Sequence, residues 1–442
     1  MRASGQQAQA IEAFRAGAAL HPEVAELQCN LAIALDESGD GAAARQAYEA
    51  AIRADRGLVA AHVGLGGLAS RAQRFDDARR HYLDALTAEP DNVAANLALY
   101  ELAQVAGRRE DALAFQLRAL ERQQLFSAIA PQERRRVLVL LRPGDWQANI
   151  PVDFLFDAQT TTVHKFFLLG RDSLAAAARL PACDVIFNAI GEADDALESL
   201  EIASAIVERL GLPAINDPAR VLNTNRVALV DVLRGIESCV TPSVTRVTRE
   251  DVAAHRLPIE APLLVRPVGS HAGHDLAKID ALADLDAYLE SARAEFFYVS
   301  PFVEYRQPDG FYRKYRIICV DGEPHAYHLA ISPNWMIHYY NAPMAEQAWM
   351  RAEEERYLAD FPSVFGPPLQ RALREIARAI GLDYFGIDCS IDPAGNLLVF
   401  EADPAMIVHM QDPVELFGYK RLYVPQIFAS LERLLDSRAR SR

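Results

Sequence analysis

The stretch Tyr384-Phe385-Gly386-Ile387-Asp388-Cys389-Ser390-Ile391 is followed by Asp392-Pro393-Ala394-Gly395-Asn396 and then by Leu397-Leu398-Val399-Phe400-Glu401-Ala402-Asp403. Two apolar, β-prone runs flank a cluster of turn residues, which predicts an antiparallel hairpin. With the turn centred between Ala394 and Gly395, an unbulged ladder sets Asp388 opposite Glu401, and Asp403 points to the same side. Like charges facing each other on neighbouring strands repel unless something positive lies between them. A hard divalent cation with oxygen ligands relieves that repulsion, most simply Mg²⁺ shared with a phosphate. Asp388, Glu401 and Asp403 are therefore the expected metal ligands. The bland alternative is an edge hairpin with its carboxylates in water.

Upstream, Leu369–Ile380 carries apolar residues at 369, 373, 376, 377 and 380, an amphipathic helix closed by Gly381. Pro262-Leu263-Leu264-Val265-Arg266-Pro267-Val268-Gly269-Ser270-His271-Ala272-Gly273 reads as a strand ending in a cation, then a flexible loop. Such a loop can close backbone N–H groups over phosphate oxygens, although its spacing matches neither a P-loop nor a dinucleotide fingerprint. Thr224–Arg234, with Arg226, has helical spacing and stops at Gly235. Between 135 and 218, apolar strands (137–141, 162–169, 184–190 and 213–216) alternate with a helix at Leu197–Leu210, giving a small α/β lobe. The run Pro131–Arg136 reads as a charged linker ahead of it.

The first 125 residues repeat at an offset of 34: Ala10, Ala44, Ala78 and Ala112 share a column, as do Gly17, Ala51, Ala85 and Ala119. Phe14, Tyr48 and Tyr82 form a third column, and Leu31, Leu65 and Leu99 a fourth. Small residues where helices cross allow close approach, and the aromatic fills the space beside them. The turns fall at Gly39-Asp40, Gln73-Arg74 and Gly107-Arg108. This pattern resembles the tetratricopeptide repeat over about residues 8–122, without the tryptophan usual in its first helix. The resemblance implies a helical solenoid that recruits a peptide or protein, or a scaffold that forms a homodimer or braces its neighbour.

The 442 residues are 51% hydrophobic and 24% charged, ordinary for globular domains, and the net charge of -15 argues against a nucleic-acid partner. Five scattered cysteines without a CxxC pair fit a reducing compartment. No apolar run reaches membrane-spanning length, and the first residues lack the order of a signal peptide, so the chain is expected to be cytoplasmic with no membrane partner.

Taken in order, lobe, cation-bearing helix, cation-bearing strand, glycine loop and acidic hairpin resemble the ATP-grasp superfamily of carboxylate–amine ligases over about residues 135–430. Together the two resemblances imply an α plus α/β chain: tetratricopeptide-like helical repeats at 1–125, a preceding α/β lobe at 135–218 and a two-lobed ATP-grasp domain at 219–435. The ATP-grasp resemblance implies that Arg226 and Arg266 stand where the family usually has two phosphate-holding lysines, with Ser270 and Gly273 in the loop over the phosphates. Phe302 and Val303, in Tyr298-Val299-Ser300-Pro301-Phe302-Val303-Glu304, take the place of the hinge that meets adenine, and Glu304 that of the ribose acid. Arg316 takes the place of an arginine facing an acyl phosphate, and Asn341 that of an active-site asparagine. Asp403 replaces the more usual Asn in Glu401-Ala402-Asp403-Pro404. The implied activity uses ATP and Mg²⁺ to join a carboxylate and an amine, as in peptide modification; a non-catalytic nucleotide-binding adaptor and a small-molecule kinase on the same fold are the alternatives. Of the histidines, His328 and His338 fall near the expected cleft, His409 follows the hairpin, and His271 and His274 lie in the glycine loop.

Overall fold

The computed structural model describes residues 2–270, 273–338 and 341–440. It is a mixed α/β protein with its helical part at the N-terminus, and it divides into two compact units, Met1–Gln124 with Pro143–Asp145, and Leu125–Arg142 with Trp146–Arg442.

The first unit contains α1 (Arg2–Leu20), α2 (Ala25–Glu37), α3 (Gly41–Ala54), α4 (Val59–Arg71), α5 (Phe75–Ala88), α6 (Val93–Val105) and α7 (Arg109–Arg122). Helices α2, α4 and α6 start at residues 25, 59 and 93, and α3, α5 and α7 at 41, 75 and 109, so the 34-residue step is physical. The alanine columns explain it: Ala44, Ala51, Ala78, Ala85, Ala112 and Ala119 are all fully buried where the helices cross. Tyr48 lies against Gly64 and Tyr82 against Gly66 so closely that an added Cβ would come within 2.2 and 2.4 Å of the rings. Asp40 and Asn92 start α3 and α6 by accepting backbone N–H bonds from Ala43 and Ala95, each at 3.0 Å.

The second unit opens with β1 (Leu125–Ala128), β2 (Arg135–Leu141), β3 (Thr161–Phe167), β4 (Val185–Asn188) and β5 (Ala214–Ile215) in the order β1-β3-β2-β4-β5. All pairings are parallel except the β1 edge, and β2 and β4 are buried almost throughout, as parallel strands covered on both faces are. The expected linker at 131–136 therefore ends inside a strand. Arg135 is buried there because Glu432 and Asp436, on the helix Pro425–Arg440, meet its guanidinium.

The chain then enters β6 (Cys239–Val240) and a small sheet of β7 (Thr245–Thr248), β8 (Leu263–Pro267), β9 (Ala277–Ile279) and β10 (Phe296–Pro301), ordered β7-β10-β8-β9 around Val247, Leu263, Val265 and Phe297. Residues 302–311 carry it to β11 (Tyr312–Val320), followed by β12 (Glu323–Ser332), β13 (Tyr384–Ile391) and β14 (Leu397–Asp403). With β6 these form a third sheet, the large sheet, ordered β12-β11-β13-β14-β6 and packed on Pro367–Ile380, whose five expected apolar positions are all buried. Stretches 135–218 and 219–435 share one core, in which Val137 and Phe187 meet Tyr384 and Leu431.

The hairpin departs from expectation in an instructive way. Ile391 pairs with Leu397 and Cys389 with Val399, so the turn is centred on Ala394, while a register shift between Asp388 and Cys389 leaves Phe400 as an extra residue. Asp392 tightens the turn by accepting N–H bonds from Ala394 (2.9 Å) and Asn396 (2.8 Å). The bulge adds back the residue that the tighter turn removes, and Asp388 still faces Glu401.

Asn216, buried at φ 59°, links β5 to β13: its Oδ1 accepts from the Tyr384 N–H and its Nδ2 donates to the Tyr384 carbonyl, both at 2.8 Å. Asn216→Ala leaves both backbone groups unmet, so the urea midpoint should fall by the equivalent of about 2–4 kcal/mol at an unchanged slope. A midpoint within experimental error of wild type contradicts this anchoring role.

Candidate active site

A cavity of about 650 Å³ opens between the small and large sheets, within the ~300–1,000 Å³ span of small-molecule sites. Arg266 and Tyr298 line it from the small sheet, Phe302 and Val303 from the connection, and Lys314, Arg316, Asp388 and Glu401 from the large sheet. Asp403, Asn341, Gly273, His328, His338 and His409 also line it. Among the described residues, no helix is long and apolar enough to cross a membrane.

Asp388 sits at the centre, 1% exposed. Its register partner on β11 is Arg316, whose Nε and Nη2 donate to its two oxygens at 2.7 and 2.9 Å. Lys314, two residues earlier on the same face, donates to Oδ2 at 2.9 Å. Burial alone pushes this carboxyl up, but Arg316 and then Lys314 more than offset it and hold it well below the usual carboxylate range. Lys314 is the residue sequence reasoning passed over; its spacing of two from Arg316 was the available signal.

Glu401 is ion-paired with Arg226, which opens the helix Arg226–Val232 behind an Asn225 cap that accepts from Val227 and Ala228. Burial opposes ionisation of Glu401, but Arg226, with Arg266 and Lys314 behind it, together outweigh burial and hold the carboxyl down to about 2. Arg266 behaves differently. It is half-buried on β8 and donates through Nε to Ser270 Oγ at 3.1 Å and through Nη2 to the Ser270 carbonyl. Burial and then the charge of Arg226 lower its pKa to about 10. The loop beneath it needs its glycines, since Gly269 and Gly273 adopt φ of 70° and 72°. His271 lies outside the described residues.

The other expected site residues separate into two groups. Phe302 and Val303 line the cavity, and so does Asn341, although its amide is engaged in the loop, accepting from the His338 N–H at 2.7 Å and donating to the Met336 carbonyl at 3.1 Å. Glu304 and Ser270 are not among the lining residues. Glu304 is exposed, accepting from the Arg306 N–H at 2.9 Å and the Tyr312 hydroxyl at 3.2 Å. His274 is exposed as well. At the far end a buried set invisible in sequence appears. His328 Nδ1 lies 3.6 Å from Glu354, and Lys420 reaches Glu354 at 3.3 Å and Asp412 at 3.0 Å. The donor chemistry at the hairpin, three carboxylates, fits a hard cation such as Mg²⁺. The opposed carboxylates already have protein cations beside them, a source of relief that the sequence reading did not weigh.

No protein-family model matches the chain, and no curated protein matches it. Solved structures similar to it include D-alanine–D-alanine ligase from Bacillus anthracis complexed with ATP, at 15% identity over 70% of this chain and 99% of that one, TM-score 0.42. The VanG D-Ala:D-Ser ligase from Enterococcus faecalis is similar at 13% identity over 66% and 99%, TM-score 0.40. The likeness is one of outline.

Burial lowers the His328 pKa from 6.5 to about 4. Between those values the unfolded chain takes up a proton that the fold refuses, so acidification from pH 6.5 to 4 removes up to ~3 kcal/mol of stability through this group. The thermal midpoint of His328→Gln should therefore fall less over that interval than that of wild type. Equal falls in the two proteins count against a neutral His328.

Proposed function

We propose that the second unit is an ATP- and Mg²⁺-dependent ligase that joins a carboxylate to an amine through an acyl phosphate, releasing ADP and phosphate. The observation that carries this reading is the charge pattern of the cavity. Arg266 meets Ser270 rather than a carboxylate and crowds Arg226, directly across from a hairpin of three carboxylates. Two crowded guanidiniums are relieved by an anion with several oxygens, and a triphosphate supplies one.

In this reading Arg226 and Arg266 hold phosphate oxygens, helped by loop N–H groups near Ser270 and Gly273. Phe302 and Val303 present the connection's backbone and apolar surface to adenine, while Glu304, held by Tyr312 and the Arg306 N–H outside the cavity lining, does not take the ribose role expected of it. Asp388, Glu401 and Asp403 are the oxygen donors for Mg²⁺, which supplies charge neutralisation at the transferring phosphoryl group. Lys314 and Arg316 bring positive charge to the phosphoryl oxygens, and Asn341 orients the acceptor. The acceptor carboxylate attacks the γ-phosphorus and ADP leaves. The amine then attacks the acyl carbon, phosphate leaves, and the amine's proton passes to solvent. The helical unit recruits the peptide or protein that carries one reactant; the constant 34-residue step of its helix pairs supports this, since such repeats often hold extended chains.

A second reading, a nucleotide-binding adaptor without turnover, has one observation in its favour. Both oxygens of Asp388 are already engaged by Arg316 and Lys314.

The test is ADP release from ATP and Mg²⁺ across a panel of amino acids and short peptides. Release should require a carboxylate and an amine together, with amide product seen by mass spectrometry. Asp388→Asn and Glu401→Ala should each lower the rate by about 100-fold or more, and Arg266→Ala should weaken ATP binding by about 10-fold. A stable phosphorylated product formed without an amine would replace the ligase with a kinase. ATP binding without turnover in any combination would leave the adaptor.

A further inference from the structure

Within the helical unit, α4 and α5 bring His62, His81 and Asp84 together. One nitrogen of each imidazole and one carboxylate oxygen all lie within 4.8 Å of one another. His81 and Asp84 are three residues apart on α5 and so share a face, while His62 comes from α4.

The protonation pattern follows from the hydrogen bonds. His62 Nε2 lies 3.0 Å from the Arg56 carbonyl, which has only lone pairs, so Nε2 donates and Nδ1 keeps its own lone pair. That Nδ1, on a His62 side chain 10% exposed, is 3.8 Å from Asp84 Oδ2. Among the described residues this Nδ1 is buried without a hydrogen-bond partner, and so is His81 Nδ1. Arg80 is the residue before His81 on α5. Arg80 is itself paired with Asp77 at 2.9 Å.

The repeat supplies an internal control. One step along the array the equivalent positions are Asn96, Phe115 and Arg118, and one step back they are Gln28, Ala47 and Ala50. Asn96 makes the corresponding loop bond, to the Pro90 carbonyl at 3.1 Å. The loop therefore needs only a donor at this position, and an amide suffices. A histidine adds a second nitrogen aimed at His81 and Asp84, a combination the other helix pairs lack.

We propose that His62, His81 and Asp84 bind a divalent transition-metal ion of the zinc class, which clips α4 to α5. Two imidazole nitrogens and a carboxylate are a donor set that zinc accepts, and Asp84, half-exposed, leaves the fourth position to water. The His62 bond to a backbone carbonyl is the outer-shell contact that orients a metal-binding imidazole. The site is independent of the ligase reading.

The experiment is calorimetric titration of the full chain with zinc in excess Mg²⁺, which occupies sites built from oxygen alone, paired with thermal unfolding. His62→Asn keeps the loop bond, as Asn96 does, while removing Nδ1. Asp84→Asn alters an exposed residue and should leave the fold intact by circular dichroism. Both variants should unfold as wild type does without zinc, bind zinc at least ~10-fold more weakly, and lose the zinc-induced rise in unfolding midpoint. Zinc binding of equal affinity in wild type and both variants overturns the site, as does the absence of any zinc binding by wild type.

Discussion

The second unit is organised around one interaction, the buried ion pair in which Arg316 grips both oxygens of Asp388 across the β11–β13 ladder. A carboxylate that is 1% exposed would carry a desolvation cost of several kcal/mol if it stood alone. Lys314 adds a second cation to the same acid. The pair depends on the register of three strands at once, because β11 must present Arg316 to β13 while β14 presents Glu401 on the other side. The bulge at Phe400 and the Asn216 anchor on Tyr384 keep that register.

The cavity is thus lined by charge arranged in steps. Asp388 is compensated by Arg316 and Lys314, Glu401 by Arg226, and Arg266 on the opposite sheet, among the described residues, hydrogen-bonds to Ser270 while Glu401 and Asp194 act on it through space. Direct pairing of charge declines from the large sheet towards the small one, where Arg266 donates to Ser270 rather than to a carboxylate. Break a buried pair on one side and the remaining charge is stranded, so a substitution at Asp388 or Arg316 disturbs folding in its own right.

Much of this was legible in the chain. The 34-residue step showed because buried alanines recur where helices cross, a constraint that is local and repeats. Asp388 opposite Glu401 was also legible, although by way of a turn one residue too wide and a bulge not foreseen, two errors that cancel. Less legible was the fate of side chains. Glu304 sits in the expected segment yet turns to Tyr312 and Arg306, because which way a side chain leaves a connecting segment depends on its neighbours in space. Lys314, two residues before Arg316, drew no reading from sequence, because nothing along the chain shows that it shares an acid with Arg316. Nothing in sequence links His328 to Glu354 and Lys420, or His62 to His81 and Asp84, because those contacts join different elements.

What the sequence determined by itself was periodic: the helix pairs, the amphipathic helix before Gly381, the alternating strands and the facing acids of the hairpin. Each follows from spacing along one element, where the backbone's geometry sets which side chains share a face. What only the tertiary structure decided was compensation. It assigned Lys314 and Arg316 to Asp388, gave Arg226 to Glu401, left Arg266 on Ser270, and drew stretches 135–218 and 219–435 into one core. Charges find partners through space, and distance through space is not written in the order of residues.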